Sequence, residues 1–469
     1  MLLGIDVGTT NTKVALVDVR GAVPRAIRVA AAPTPPPAVL GATVGGLVRE
    51  VCAGAEREVA AVGIASMAET GVPLDPDRRP LGDWLRWDGR RAARQAAALA
   101  RRLGPRELFA ATGVRPSAKV PLATWLWLRE VEPDRFRAMA EWSGAADLLG
   151  LRLTGVLGTD HTLAGRTMAY RLGPGDPPPG FDASLLAEVG LTPGQLPRVV
   201  PPDQVLGGLD AAGAVLTGLR PGTPVVVAGH DHQVGAWAAG VRGPGEAADS
   251  LGTAEALIRV VDAAPDPAEV AAAGMSLVRT VSGSTLALVA GASAAGGLIA
   301  WWRQRERVDD AVLEAAAALP GPAGPVVLPY PAGRQSPVPD PGAVLRVPDE
   351  GDLVTRTRAV LDALCLQARW MADVQSALTG GPATRTVVLG GWAVPAWLSG
   401  KQRGGPHPMQ ALRAAEPVPT GAAVLAARRA GLADPAGLRR APRAPPADTR
   451  AGALARPGGP PRGGRTAPP

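Results

Sequence analysis

LLGIDVGTTNTKVALVDV, residues 2–19, is the stretch from which the fold follows. A short apolar run reaches Asp6 and Gly8, the polar segment TTNTK (9–13) comes next, and VALVDV (14–19) is a second apolar run. Two apolar runs joined by a short polar turn predict a β-hairpin. The chain therefore opens on two paired strands, with glycine and hydroxyl groups in the turn between them.

Three later segments repeat the pattern of an apolar run followed by a glycine-containing turn. They are TPVVVAGHDHQVGAWAAG (223–240), DSLGTAEALIRVV (249–261) and RTVVLGGWAVPAWL (385–398). Between them, residues 89–104 and 121–131 have the composition and spacing of helices. Strands that alternate with helices predict an α/β protein. Recurrence of the turn in both halves indicates two related lobes that face a nucleotide between them.

Length and charge narrow the class of protein. A chain of 469 residues predicts two or three domains. The formal net charge is +7, but residues 435–469 contain seven arginines and one acid, Asp448, so the rest of the chain is nearly neutral. This charge distribution argues against nucleic-acid binding by the part of the chain before residue 435. Because the same C-terminal stretch has few large apolar residues, we predict a disordered tail there.

The remaining composition excludes several kinds of site. Cys52 and Cys365 give neither a disulfide framework nor a metal-ligand pair, and the four histidines lack zinc-ligand spacing. The 22 residues from Val281 to Trp302 carry no charge, but their many glycines, alanines and serines favour a buried strand and helix over a membrane span. No signal-peptide pattern opens the chain. We therefore expect a soluble cytoplasmic protein that contacts neither membrane nor nucleic acid.

The first turn has the chemistry of a phosphate site. Gly8 allows the backbone to approach a phosphate closely, and hydroxyl and amide groups of the turn can donate hydrogen bonds to its oxygens. Asp6, at the end of the first strand, could hold a hydrated Mg²⁺. An ordinary polar hairpin turn explains the same residues equally well.

The later turns offer a carboxylate and more small residues. Asp231 follows an apolar strand, where a carboxylate can accept a proton from a substrate hydroxyl, although it could equally be a helix N-cap. Gly252-Thr253 can bond phosphate oxygens. Gly390-Gly391 leaves room for a base or ribose, or forms a tight turn between a strand and a helix.

Taken in order, these segments resemble the FGGY carbohydrate kinase family, within the actin, sugar kinase and heat-shock-protein superfamily. The resemblance covers about residues 2–432. The segments that carry it are GIDVGTTNTKVALVD (4–18), GIASMAETGVPLD (63–75), LRWDGRR (85–91), DLLGLRLTGVLGTDHTLAGRTMAY (147–170), VAGHDHQVGAWAAG (227–240), SLGTAE (250–255), LPYPAGRQSP (328–337), VLGGWAVPAWL (388–398) and EPVPTGAAVLAARRAGL (416–432).

The resemblance implies two ribonuclease-H-like lobes with a central cleft: residues 1–243, residues 244–434, and then the tail at 435–469. It also implies phosphorylation, with ATP and Mg²⁺, of a hydroxyl on a small sugar, ketose or polyol. Glycerol kinases of the family carry Arg before the Glu of the sugar segment, whereas this chain has Ala68 before Glu69. The substrate is therefore expected to be closer to that of a fuculokinase or xylulokinase, and a homodimer is one assembly compatible with the resemblance.

The family's site residues carry over by position. Asp231 would be the general base, and Asp6 and Asp231 would lie at the metal. Glu69, Trp87 and Asp88 would join Asp231 at the substrate, with core packing as the alternative role for Trp87. The residues expected at ATP and its phosphates are Thr9, Thr10, Asn11, Thr12, Lys13, Gly252, Thr253, Gly296, Gly390 and Gly391.

Two other functions remain open from the sequence. One is a degenerate kinase fold that binds sugar or nucleotide as a regulator, favoured by the altered second lobe, in which SGKQRGGPHPMQ (399–410) interrupts the family helix after Trp397. The other is RNA association through the arginine-rich tail, which lacks aromatic residues for base stacking.

Overall fold

A computed structural model describes residues 1–19, 24–55, 58–320, 324–393, 395–404, 409–412 and 416–432. The tail predicted at 435–469 lies outside these residues.

Eighteen strands occur in the described residues. They are β1 (Leu2–Val7), β2 (Asn11–Asp18), β3 (Arg25–Pro33), β4 (Val62–Ser66), β5 (Gly71–Leu74), β6 (Glu141–Gly144), β7 (Gly158–Asp160), β8 (Arg198–Val200), β9 (Gly207–Gly208), β10 (Pro224–His230), β11 (Glu246–Leu251), β12 (Glu255–Val261), β13 (Ser276–Arg279), β14 (Leu286–Ala292), β15 (Leu328–Pro329), β16 (Leu345–Arg346), β17 (Arg385–Leu389) and β18 (Met409–Ala411).

The α-helices of the same residues are α1 (Leu40–Cys52), α2 (Ala93–Leu103), α3 (Pro105–Thr112), α4 (Pro121–Val131), α5 (Pro133–Ala138), α6 (Ala145–Thr154), α7 (His161–Ala164), α8 (Ala183–Ala187), α9 (Ala211–Thr217), α10 (Asp231–Ala238), α11 (Pro267–Ala272), α12 (Gly296–Glu306), α13 (Asp310–Ala318), α14 (Leu353–Leu378), α15 (Pro395–Gly404) and α16 (Pro417–Arg429). Short 3₁₀ helices occupy Pro37–Val39 and Pro193–Gln195.

Two six-stranded sheets form the two lobes. The first has the order β3-β2-β1-β4-β10-β9, and the second has the order β13-β14-β12-β11-β17-β18. β1, β4 and β10 run parallel, as do β11, β17 and β18, while β1–β2 and β11–β12 are antiparallel hairpins. Each lobe therefore starts on a hairpin whose first strand also pairs with a parallel strand. The predicted opening hairpin and the two related lobes are confirmed.

The uncharged stretch at 281–302 contains a strand and the start of a helix, as predicted. β14 and α12 account for most of it, and Trp302 is 1% exposed. No helix among the described residues has the length and apolar composition needed to cross a membrane. The predicted helix at 121–131 is α4, and its Trp125 is fully buried in the core, as expected from its spacing.

Helix α16 follows the second sheet in sequence but packs on the first. An added Cβ at Gly4 of β1 would lie 1.7 Å from the carbonyl oxygen of Pro419, and one at Gly63 of β4 would lie 1.9 Å from that of Ala422. Only glycine permits this approach of helix backbone to sheet. Helix α16, which lies in the segment 244–434 expected to form the second lobe, therefore contacts the first sheet.

Helix α15 also differs from expectation. The segment SGKQRGG was expected to interrupt the family helix, yet Pro395–Gly404 forms a continuous helix. Lys401 lies on its buried side and pairs with Asp249 and Glu255 of the second sheet. This buried cation anchors the helix despite the glycines around it. Residues 405–408 of the same segment lie outside the described part of the chain.

Candidate active site

The carboxyl ends of β1, β4 and β10 meet at one edge of the first sheet. Asp6 lies at the end of β1, Glu69 lies three residues beyond β4, and Asp231 directly follows β10. Because neighbouring parallel strands end at the same edge, the fold collects three acidic side chains from distant parts of the sequence. This edge is the core of the candidate site.

The β1–β2 turn exposes only part of the predicted phosphate motif. Thr10 and Asn11 are exposed, and Thr9 Oγ1 accepts a 2.9 Å hydrogen bond from Trp87 Nε1. Thr12 is fully buried, with its Oγ1 3.3 Å from Thr34 Oγ1. The exposed hydroxyl of the turn is therefore that of Thr10. Thr9 Oγ1 also donates to Met67 Sδ at 3.5 Å, and Thr12 faces the lobe interior.

Lys13 has a partner that the sequence did not predict. Its Nζ lies 2.8 Å from Oε2 of Glu416, a residue with φ of 52° immediately before α16. Both side chains are about one-third exposed. Lys13 thus links the first hairpin to the last described helix.

Asp6 and Asp231 repel each other within the site. Burial raises the pKa of Asp6 well above its usual value, and the charge of Asp231 raises it further. Its Oδ1 is buried and accepts no hydrogen bond from the described residues. Burial likewise raises the pKa of Asp231. A cation bound between these carboxylates would relieve both effects.

Asp231 is the first residue of α10, with His230 in the cap position, so the alternative of a helix N-cap for Asp231 is wrong. Asp231 Oδ1 accepts a 2.6 Å hydrogen bond from the backbone N–H of His232 and lies 3.2 Å from Nε2 of His230. Burial, with the neighbouring positive charges, lowers the pKa of His230 well below its usual value. A ring nitrogen of His230, a carboxylate oxygen of Asp231 and a ring nitrogen of His232 all lie within 4.8 Å of one another.

A buried network fixes the backbone that precedes Asp231. Gly229 has φ of 129°, a conformation that glycine alone adopts readily, and an added Cβ there would lie 2.5 Å from Thr162 Oγ1. Thr162 Oγ1 accepts a hydrogen bond from the His230 N–H and donates one to Asp160, at 2.9 and 2.6 Å. Asp160 pairs with Arg429 at 3.1 Å. The last described helix therefore supports the loop that presents Asp231.

Glu69 is held in a strongly basic environment that sequence reasoning missed. It has φ of 65° and accepts a 2.7 Å hydrogen bond from Arg166. Burial alone would raise its pKa, but the charges of Arg166 and Lys119 outweigh burial and the net pKa is lowered. A guanidinium group thus lies beside Glu69 even though Ala68, and not an arginine, precedes it in sequence.

Lys119 and Arg115 complete this basic group. The negative charge of Glu69 raises the pKa of Lys119. Burial and the positive charges of Arg166 and Arg115 outweigh this effect, so the net pKa of Lys119 is lowered. Within the described residues, neither Lys119 nor Arg115 makes a hydrogen bond or an ion pair. Arg115 and Lys119 belong to the loop before α4, and no motif in that loop marked them as site residues.

Asp88 and Trp87 are placed beside the first turn. Arg86 donates two hydrogen bonds to Asp88, at 2.9 and 3.1 Å, and this hydrogen bonding, together with the charge of Arg86, lowers the pKa of Asp88. Arg86 also donates to the Thr9 carbonyl at 3.3 Å. Trp87 is half-buried and packs against the core of the first lobe. Its backbone N–H reaches Thr70 Oγ1 at 3.2 Å, next to Glu69.

The second lobe brings its predicted residues together. The backbone N–H groups of Gly296 and Gly297 donate to the carbonyls of Gly252 and Thr253, at 3.1 and 3.0 Å. An added Cβ at Gly296 would lie 2.2 Å from Trp392, so the turn that begins with Gly390-Gly391 packs against the start of α12. Gly252, Thr253, Gly296, Gly390 and Gly391 therefore form one surface at the ends of β11 and β17.

One polar contact joins the two lobes at the site. His232 Nδ1, at the start of α10, lies 3.2 Å from Ser250 Oγ in β11. Ser250 is two residues before Gly252. The edge that carries Asp231 and the turn that carries Thr253 thus border the same cleft.

Two family models match the chain. The N-terminal domain of the FGGY family of carbohydrate kinases matches residues 1–238, and the C-terminal domain of that family matches residues 247–430.

Curated relatives include the xylulose kinase of Streptomyces rubiginosus, 32% identical over 257 residues, which are 49% of this chain and 52% of that protein. The L-fuculokinase of Haemophilus influenzae is 29% identical over 202 residues, 43% of this chain and 42% of that protein. These matches span about half the length of the curated relatives.

Solved structures share the fold. A ligand-bound xylulose kinase from Lactobacillus acidophilus has a TM-score of 0.82 and 21% identity, with 93% of this chain and 90% of that chain covered. A gluconate kinase from the same organism has a TM-score of 0.80 and 20% identity, with the same coverage.

Proposed function

The chain belongs to the FGGY family of carbohydrate kinases, and we propose that it transfers the γ-phosphoryl group of ATP to a hydroxyl of a small sugar, ketose or polyol in the cytoplasm. The observation that carries this proposal is the electrostatically coupled, half-buried pair of Asp6 and Asp231 at one edge of the first sheet, linked to the second lobe through the contact of His232 with Ser250. Charge neutralisation and positioning are what phosphoryl transfer requires of a protein.

Asp231 is the proposed general base. Its carboxylate takes the proton of the attacking hydroxyl as that oxygen bonds to the γ-phosphorus and the bond between phosphorus and the bridging oxygen breaks, releasing ADP. A base works best when its pKa is close to the working pH, and burial moves the pKa of Asp231 in that direction. The hydrogen bond from the His232 N–H orients the carboxylate.

Asp6 and Asp231 fit a magnesium site. Carboxylate oxygens are the ligands that Mg²⁺ prefers, and the buried, unpartnered Oδ1 of Asp6 is a ready acceptor. When bound, the ion neutralises the negative charge of the phosphates. On the protein side, the Thr9 and Thr10 region and the Gly252-Thr253 turn provide hydroxyl and amide donors to the same oxygens, and Gly296, Gly390 and Gly391 border the nucleotide.

Glu69 is the proposed acceptor for substrate hydroxyls, with Asp88 and Trp87 supporting the segment beside it. The salt bridge to Arg166 keeps Glu69 charged and fixed in position, so it can accept hydroxyl hydrogen bonds without rearranging. A hydroxyl-binding carboxylate rejects analogues that leave it unpaired. We therefore expect selectivity for polyhydroxylated compounds.

A sugar acid is the second candidate substrate. Lys119 and Arg115 make no ion pair with the described residues, and with Arg166 they give the Glu69 region more positive than negative charge. A substrate carboxylate would balance that excess. Arginine and lysine are the usual recognition groups for such an anion.

ADP release over a substrate panel tests the proposal. The panel contains D-xylulose, L-fuculose, xylitol, gluconate and glycerol, each with ATP and Mg²⁺. We expect saturable turnover with at least one ketose, polyol or sugar acid and poor turnover with glycerol. Preference for gluconate would select the second candidate. ATP binding without turnover on any member would favour a regulatory protein that has lost catalysis.

A further inference from the structure

Two histidines flank Asp231 at the point where β10 ends and α10 begins. Nε2 of His230 lies 3.2 Å from Asp231 Oδ1, and Nε2 of His232 lies 3.9 Å from the same oxygen. One ligand atom from each of the three side chains lies within 4.8 Å of the other two. Ligand atoms around a tetrahedral ion with bonds of about 2 Å are ~3.3 Å apart. Modest side-chain rotations would therefore place all three atoms around one ion.

The backbone at this junction brings the two rings together. His230 is extended, with φ of −66° and ψ of 128°, whereas Asp231 is the first residue of the helix. The chain thus changes from strand to helix between the two histidines. Their ring centroids are 5.3 Å apart, and the ring planes are at 81° to each other. Both imidazoles consequently lie beside the carboxylate of the residue between them.

Ser250 makes the contact that a metal-binding histidine needs on its second nitrogen. Its Oγ lies 3.2 Å from Nδ1 of His232. When Nδ1 carries the proton and donates it to Oγ, Nε2 keeps its lone pair, and Nε2 is the atom that lies 3.9 Å from the Asp231 carboxylate. A hydrogen bond of this kind fixes the tautomer and the ring orientation of a ligating histidine. The second lobe therefore prepares His232 as a nitrogen ligand.

The three side chains are sheltered and still reachable from solvent. Their exposed fractions are 15% for His230, 20% for Asp231 and 35% for His232. An ion therefore has an entry path, which a binding site requires. The carboxylate also keeps acceptor capacity, because the N–H of His232 occupies one of its roughly four lone-pair positions.

We propose that His230, Asp231 and His232 bind a transition-metal dication of the Zn²⁺ type. Imidazole nitrogen suits Zn²⁺ and related first-row ions, whereas Mg²⁺ prefers oxygen ligands. Two imidazoles and a carboxylate form a donor set that zinc accepts in proteins, with a further coordination position open to water. The site therefore differs in ligand type from the magnesium site of Asp6 and Asp231.

Occupation of this site would inhibit phosphoryl transfer. This consequence rests on the proposed function, whereas binding of the ion does not. A carboxylate oxygen that shares its electron pair with Zn²⁺ is a weaker acceptor for the proton of a substrate hydroxyl. Because Asp231 is also a proposed magnesium ligand, the two cations compete for it. Free zinc would thus lower turnover even when Mg²⁺ is abundant.

Titration of the full chain with Co²⁺ tests the binding, without sugar or ATP, so that the result is independent of kinase activity. Co²⁺ accepts the ligands of zinc sites and absorbs visible light when bound to them. We expect a saturable absorption change that persists in excess Mg²⁺ and disappears when Zn²⁺ is added. His230→Gln and His232→Gln should each weaken binding at least tenfold, and Ser250→Ala by ~10-fold or more.

His407→Gln is the matched control, because it removes a histidine far from this segment in the sequence and should leave binding unchanged. The site is overturned if the folded wild-type chain gives no saturable change at millimolar Co²⁺. It is equally overturned if folded His230→Gln and His232→Gln bind Co²⁺ as tightly as His407→Gln does, since the ion would then be bound elsewhere.

ADP release at a buffered concentration of free Zn²⁺ tests the consequence. At the concentration that displaces Co²⁺, turnover with ATP and Mg²⁺ should fall at least tenfold in the wild-type chain. The ratio of turnover without and with zinc should be smaller in His232→Gln. Undiminished wild-type turnover at that concentration would overturn the inhibitory role. A chain that binds Co²⁺ as expected but phosphorylates no substrate would contradict the proposed function alone.

Discussion

Nε1 of Trp87 donates a 2.9 Å hydrogen bond to Oγ1 of Thr9. This bond joins the segment proposed to hold the sugar to the turn proposed to hold the phosphates. The neighbouring Arg86 makes a second link, to the carbonyl of Thr9. The position of the turn is therefore tied to the position of the sugar segment.

Trp87→Phe should affect both substrates. The ring keeps most of its packing, but Thr9 loses its donor, and one such hydrogen bond is worth about 1 kcal/mol. We expect KM for ATP and for the sugar to rise by about fivefold together. Steady-state kinetics with each substrate varied in turn measures this. Trp127→Phe, at a half-buried tryptophan of α4, is the control, and equal kinetics in the two variants would show that the bond to Thr9 is unimportant.

Asp231→Asn should abolish most catalysis. The amide keeps the size and most hydrogen bonding of the carboxylate but cannot take a proton, and loss of a general base costs ~10²–10⁴-fold in rate. Single-turnover ADP release measures the loss, with circular dichroism to verify folding. Asp203→Asn makes the same change at an exposed position and should have full activity. A folded Asp231→Asn protein with turnover like that of Asp203→Asn would rule out the base.

The pH dependence of kcat/KM should report the titration of the Asp231 carboxylate. Burial raises the pKa of Asp231, so protonation begins at higher pH than for an ordinary aspartate. Because only the deprotonated form accepts a proton, kcat/KM should fall as pH decreases, with an inflection at a pH above the ordinary pKa of an aspartate. The residual activity of Asp231→Asn should lack that inflection. An unchanged acidic limb in this variant would assign the limb to another group.

Glu69→Gln should act on the sugar and leave ATP binding nearly unchanged. The amide is a weaker acceptor for hydroxyls, and Arg166 loses its charged partner. An unpaired buried group costs about 1–3 kcal/mol, so kcat/KM for the best sugar should drop by tenfold or more. Glu314→Gln, at an exposed position on α13, is the matched control. A rise in KM for ATP alone would place Glu69 at the nucleotide instead.

Lys401→Met should destabilise the second lobe. Lys401 is 2% exposed, and its loss would leave Asp249 and Glu255 buried without a cation. Breaking a buried ion pair costs ~3–5 kcal/mol. Thermal unfolding should show a lower Tm. Arg369→Met removes a cation from the exposed surface of α14 and should change Tm much less. Similar Tm values for the two variants would show that the buried charges are dispensable.

Local patterns were enough to predict the strands and turns. The alternation of apolar runs with glycine turns located β1, β2, β10, β11, β12 and β17, because each run is a buried strand whose composition alone marks it. The same patterns located Asp6, Asp231 and Gly252 at strand ends. Strand ends of one sheet edge meet in space, which is why these residues share a cleft.

Partners separated by long stretches of chain could not be predicted. Lys119 approaches Glu69 from a loop that has no motif. Arg166 lies in the family segment 147–170, but it is 97 positions from Glu69 and nothing in that segment indicates their pairing. The pairing of Lys13 with Glu416 spans 403 residues. Such contacts depend on how the layers pack, and no local spacing records them.

Helix α16 has a consequence for how the protein is made. Helix α16 packs against Gly4 and Gly63 of the first sheet, and its Arg429 pairs with Asp160. These partners are synthesised last among the described residues. At ~5–20 residues per second, translation reaches position 429 roughly 20–90 s after it starts. During that time the apolar face of the sheet, with Leu2 and Val226, has no helix to cover it. The apolar face stays uncovered until α16 has been synthesised, so a fragment that ends before α16 should aggregate more readily than a chain that contains it.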